Sequence, residues 1–229
     1  MRGRRDAYGG PVVGRLPAAS ARRPIRIATV DAPLNRPRLL APAIGLVRRA
    51  SALGLLGDRA RVERLDLDLL RGIAREASAA GVGQDAAIAL LEDEHRPERL
   101  ATLIKRLDDA LTESPLPDRE LRELLRVFTI DDLATLLGTA SVSLRRYRAG
   151  TRPMPDVLAA RTHWLALVAS DLAGAYNETG IRRWFERPRA QLDGRSPRRA
   201  LGADWDPAGP DAERIRSLAS TLAGVGAAT

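Results

Sequence analysis

No cysteine occurs in the 229 residues. Disulfides and thiolate metal sites are therefore excluded. Histidine is nearly absent. His95 and His163 are far apart, and neither belongs to the closely spaced pair that a helical metal site needs. Aromatic residues make up 3% of the chain, so a core drawn from its 45% hydrophobic residues must be mostly Leu, Ala, Val and Ile. No apolar run approaches the roughly 18 residues that span a bilayer. The basic N-terminus lacks the long apolar stretch and cleavage site of a secretion signal. The expectation is a soluble cytoplasmic protein without membrane contact.

Catalytic patterns are missing as well. There is no paired-carboxylate context, no Ser/His/Asp arrangement and no metal cluster. The stretch GVGQDA (81–86) has two glycines, but it lacks the preceding strand and third glycine of a phosphate-binding loop. His163 sits mid-helix beside Trp164, where packing is the natural role. The chain is expected to be no enzyme and to need no cofactor.

What the chain has is arginine. Lys105 is the only lysine among 37 basic residues. That bias follows GC-rich coding and carries no functional weight. Its placement says more. Eleven Arg and two Asp in residues 1–50 give +9, and the whole chain is +8, so the remainder sums to −1. A basic segment on a near-neutral body attracts polyanions.

Periodicity predicts an all-α fold in four segments. Residues 1–36 are rich in Gly, Pro and Arg and read as a disordered basic arm. Within them IRIATV (25–30) alternates like a short isolated strand. Residues 37–116 read as a helical region of unknown role. Leu65, Leu69, Leu70 and Ile73 mark one buried face there, and Leu100, Leu103, Ile104, Leu107 and Leu111 mark another. SPLP (114–117) looks like a boundary. Closely spaced helices follow in residues 117–175 and 176–229.

The stretch DDLATLLGTASVSLRRYRAG (131–150) reads as two helices about a tight turn. Leu133, Leu136 and Leu137 supply the buried face of the first, and Ala134 is small enough for a close crossing. Gly138 can take the left-handed turn conformation. Ser141 can cap the second helix, with Leu144 and Tyr147 facing inward. An outward set of Thr139, Ser141, Val142, Ser143, Arg145, Arg146 and Arg148 remains, with Arg152 in the rigid loop beyond. Such a helix fits the DNA major groove, about 12 Å wide.

In this register LATLLGTASVSLRRYRAG resembles the Xre-type helix-turn-helix of phage-repressor and antitoxin regulators. The positions matching Ser141, Val142, Arg145 and Arg146 approach bases in that family. The phosphate-binding Gln that opens the first helix in many members is replaced here by Ile130. Asp131 and Asp132 follow it, and they repel phosphate. Farther on, GIRRWFERPRAQLDGRSPRRAL (180–201) is similar to the toxin-binding domain of Xre/MbcA/ParS-type antitoxins. The matching features are Trp184-Phe185, Arg187-Pro188, Leu192, Gly194-x-Ser196-Pro197 and Leu201. The likeness covers roughly residues 118–224, nearly half the chain.

The resemblance implies an antitoxin that occludes a RES-domain, NAD-degrading toxin encoded by a neighbouring gene and represses the shared operon by binding operator DNA. A homodimer is expected, because helix-turn-helix readers commonly bind paired half-sites. Residues 205–229 would lie over the toxin cleft. The toxin-facing candidates are Trp184, Arg187, Trp205, Asp206, Arg214 and Arg216. Trp184 reads equally well as core, which leaves Trp205, in the loop-like GADWDPAGP, as the better exposed anchor. The alternatives are a stand-alone helix-turn-helix regulator without a toxin, and an antitoxin that has lost DNA binding.

Overall fold

The computed structural model describes residues 25, 27–56, 62–92 and 97–225. The side chains of 223–225 are excepted. The predicted disordered arm lies outside these residues over 1–24 and at 26. Its last ten residues do not fit that expectation. Strand β1 (Thr29–Val30) pairs in parallel with β2 (Arg64–Leu65), Thr29 opposite Arg64 and Val30 opposite Leu65. Leu34 is fully buried. The cause is apolar: Ile27, Val30 and Leu34 have a helical surface to cover, and burial outweighs the turn-rich composition around them.

The rest is helical, as predicted. The first group is α1 (Pro37–Ala52), α2 (Leu67–Ala79), α3 (Gln84–Glu92) and α4 (Pro97–Glu113). Then come α5 (Pro117–Val127), α6 (Ile130–Leu137), α7 (Ser141–Arg148), α8 (Asp156–Leu172), α9 (Glu178–Glu186), α10 (Pro197–Leu201) and α11 (Pro210–Val225). Local chemistry sets their starts. Proline occupies the first turn of α1, α5 and α10, where its missing N–H costs nothing. Side chains of Asp66, Thr129, Asn177 and Ser196 accept the first free amides of α2, α6, α9 and α10. On α4 the buried residues are the five predicted from spacing.

Helix α8 is the central strut. Twelve of its 17 residues are buried, because apolar side chains run around its whole circumference. It packs against α1, α5, α6 and α11. One hydrophobic core therefore runs from Leu34 to Ala219, through positions 116 and 175 alike. No helix among the described residues is long and apolar enough to cross a membrane.

His163 does more on α8 than pack. Its Nδ1 lies 2.7 Å from Glu120 Oε1 on α5, and its Nε2 lies 2.9 Å from the Thr112 carbonyl on α4. That carbonyl can only accept, so Nε2 carries a proton. The Leu116 amide donates to the same Glu120 oxygen at 2.9 Å. The SPLP turn is thus tied to the central helix. Glu120 is fully buried, and its other oxygen has no partner among the described residues, so its tolerance for further loss is small. Replacing His163 by Leu should destabilise the protein by about 3 kcal/mol, since it strands a buried carboxylate. Glu120→Gln, which keeps an acceptor for Leu116, should cost less. Urea unfolding of both variants against the parent checks the order.

Candidate nucleic-acid interface and the C-terminal surface

The α6–α7 pair has the predicted handover between buried and exposed faces. Leu133, Leu136 and Leu137 are buried, as is Ala134. Gly138 ends α6 with φ 68°, and the Thr139 amide reaches back to the Ala134 carbonyl at 2.9 Å. Glycine is needed there for a second reason. A Cβ would lie 1.9 Å from the Ala203 carbonyl oxygen, so the 202–206 loop sits directly on this turn. On α7, Leu144 and Tyr147 point into the core, while Val142 is 54% exposed. Arg145, Arg146, Arg148 and Arg152 are exposed too, whereas Thr139, Ser141 and Ser143 are half-covered. The Arg152 guanidinium lies 5.8 Å from the Tyr147 ring centre, a cation–π placement that keeps the loop arginine beside the helix.

Ser141 does not cap α7. The N-cap is Ala140, without a side-chain bond. Ser141 falls one position inside the helix, where its hydroxyl donates to Asp131 at 2.5 Å. The stronger carboxylate acceptor takes it.

The charges around α7 divide cleanly. Among the described residues, Arg145, Arg146, Arg148 and Arg152 have no acid partner. The two aspartates expected to repel phosphate are both engaged. Asp131 holds Ser141. Asp132 accepts from the Thr129 hydroxyl at 2.7 Å and from Arg198 on α10 at 3.0 Å. The Thr129 hydrogen bond, and then Arg198, hold the Asp132 carboxyl below the usual range against a desolvation that pushes it up. Arg198 also pairs with Glu186 at 2.5 Å.

The C-terminal candidates are distributed differently. Trp205 is not an exposed anchor. It is 7% exposed and stands edge-on to Trp164 at 4.8 Å. Its indole N–H donates to the Leu136 carbonyl at 2.8 Å. The Arg161 guanidinium, also buried, donates to the Trp205, Leu137 and Ala203 carbonyls at 2.7, 3.0 and 3.1 Å. The reason lies in α6. Its last carbonyls have no partner within the helix, and the indole and guanidinium supply the missing donors. Trp184 is core, 2% exposed. It packs edge-on to Phe185 at 5.2 Å and lies 4.4 Å from the Arg189 guanidinium.

Arg214 is exposed but paired with Asp193 and Asp211. Asp211 is also gripped by Arg195 through two bonds of 3.0 and 3.1 Å. Arg216 is half-buried near Asp171, and burial lowers its pKa against the pull of that carboxylate. Burial likewise raises the Asp171 pKa, opposed by Arg49 and Arg216. Arg187 and Asp206 alone of the six are exposed and free of ion pairs among the described residues. No group of three His, Cys, Asp or Glu among the described residues could hold a metal.

The sequence reading counted Arg161 only as part of the helix that fits the resemblance and gave no role to Arg161 or Arg198. Arg161 stands 24 to 44 residues from its acceptors, so no local spacing announces it.

The depressed Asp132 carboxyl gives a signed pH test. Its stabilising share is present above the ordinary Asp value of about 3.9 and is lost as pH falls through the lowered one. Asp132→Asn should therefore lower the melting temperature at neutral pH, and the gap to the parent should close in acid. Thr129→Ala removes the cap and should cost about 1 kcal/mol at neutral pH by denaturant unfolding. Comparison of the chain with protein-family models, curated proteins and solved structures gives no match.

Proposed function

We propose that the protein is a DNA-binding antitoxin-type regulator. It binds operator DNA through α7 and masks a RES-domain toxin encoded next to it, acting in the cytoplasm without a cofactor or catalytic step. The observation that carries the reading is the α7 surface. Leu144 and Tyr147 are buried, and Arg145, Arg146, Arg148 and Arg152 stand outward with no acid among the described residues to neutralise them. An uncompensated row of guanidinium groups on a helix behind a tight turn suits phosphates and guanine edges. In a homodimer, two such helices would address half-sites about 34–36 Å apart.

A second reading, a stand-alone regulator, is favoured by one observation. Both tryptophans expected at the toxin face are core residues. What is left for a protein partner is the exposed Arg187 and Asp206, with Arg214 at their side if its ion pairs open.

Fluorescence anisotropy with the upstream promoter fragment tests the DNA half. Arg145→Ala and Arg146→Ala should each cost about 1–3 kcal/mol on the operator and little on random DNA if they pair with bases. Arg148→Ala and Arg152→Ala should weaken both DNAs alike and reduce the salt slope by about 0.9 per lost phosphate contact. Absence of binding to the promoter fragment would remove this half.

Co-expression with the neighbouring frame tests the protein half. A complex should co-purify and be broken by Arg187→Glu or Asp206→Arg. Specific operator binding with no co-purifying partner would establish the stand-alone reading instead.

A further inference from the structure

An open cleft of about 630 Å3 lies between α1, the end of α5, the second half of α8 and the start of α9. Clefts that hold small organic ligands run from roughly 300 to 1,000 Å3. Its floor is built from short side chains of α8, Ala166 and Ala169, with Leu124 and Ile181 as apolar walls. None of the helix-turn-helix or toxin-facing candidates lines it.

Polar side chains also line this cleft, Glu123, Arg126, Asn177 and Glu178 among them, and two more bear on what it could hold. Arg48 of α1 is half-buried and has neither an ion pair nor a hydrogen bond among the described residues. Burial lowers its pKa, with no carboxylate opposing. The acids on the same cleft differ. Glu123 pairs with Arg126 at 2.8 Å. Glu178 has no ion pair among the described residues, and burial raises its pKa, opposed by Arg182 and Arg126. The second group is Ser170, 4% exposed and without a hydrogen bond among the described residues. A serine within a helix can bond back to the carbonyl one turn earlier, and this one does not. Gly174 lies one turn beyond Ser170. A Cβ there would sit 2.7 Å from Arg48 Nη1, so the glycine leaves the guanidinium its place at the cleft wall. A desolvated, unpaired guanidinium is costly, and a carboxylate arriving on it forms the strong charge-assisted bonds that offset the cost.

We propose that this cleft binds a small organic monocarboxylate with an apolar body, its carboxylate on Arg48 and Ser170 and its chain over Ala166 and Ala169. Arg126 also lines the cleft but is held by Glu123, so Arg48 is the guanidinium there without an ion pair among the described residues, and one free guanidinium matches one carboxylate better than a polyphosphate, which would need several donors.

The test titrates the full-length protein with decanoate below its micelle concentration. Decan-1-ol serves as the neutral control and decyltrimethylammonium as the cationic one, and binding is read by calorimetry. Decanoate should bind saturably at one site, and the cation should not. Arg48→Gln should weaken decanoate by about tenfold or more, the worth of a charge-assisted contact, and leave decan-1-ol unchanged. Ala169→Leu, which fills the floor with Arg48 intact, should abolish binding. Ser170→Ala, a change that favours the helix, should weaken decanoate by about threefold or more. The assignment is overturned if decanoate fails to saturate, if the cation binds as well, or if Arg48→Gln or Ser170→Ala binds like the parent.

Discussion

The arrangement depends on one buried guanidinium. Arg161, on the central helix, donates to Leu137, Ala203 and Trp205 carbonyls at once. A helix end buried against protein leaves acceptors that water cannot reach, and each left unpaired costs about 1–3 kcal/mol. The turn after α6 is such an end, because the 202–206 loop lies on it at the distance only Gly138 allows. Arg161 and the Trp205 indole resolve this by supplying donors from two other parts of the chain. The same contacts that satisfy α6 fix where α7 begins, and so which of its residues face outward.

Arginine is therefore used in two opposite ways. Arg49, Arg161, Arg195 and Arg198 are bound internally, to Asp108, to carbonyls, to Asp211, and to Asp132 with Glu186. They act as long, planar donors that stitch elements together. On α7 the guanidinium groups have no such partner among the described residues. Net charge alone does not distinguish these uses. Residues 51–229 sum to −1, yet the α7 arginines among them have no acid partner among the described residues.

Much of the helical plan was legible in the sequence, since it rests on local signals. Spacing of three and four marked the α4 stripe, and Gly138, Leu144 and Tyr147 fell where the turn and inward positions required. Readings failed where long-range contact decides. Leu34 lies in a Pro- and Asn-containing turn, yet it is buried by helices that no local window includes. Trp205 sits in a loop whose composition suggests exposure, but its indole has both an apolar partner in Trp164 and an acceptor in Leu136. An aromatic ring with one polar edge is buried readily once both are available. Ser196, the N-cap of α10, was first read only as part of the toxin-binding resemblance, and Arg198 was given no role. The short α10 and the 3-10 turn at Ala190–Leu192 were not anticipated, being too brief to show a period.

One hydrophobic core spans the segments named for function. A helical domain of about 60 residues buries only about 60% of the surface that its unfolded chain exposes, and domains of that size are marginal on their own. Here α8 is apolar on every side, so covering one face with α5 and α6 leaves others that would be wet. The first helix covers one, and α11 covers another. The N-terminal region, whose role composition left blank, thus has a physical one: α1 covers part of the strut on which the arginine-bearing helix is mounted, and α4 covers α1 in turn. Removal of α1 would expose that face of α8.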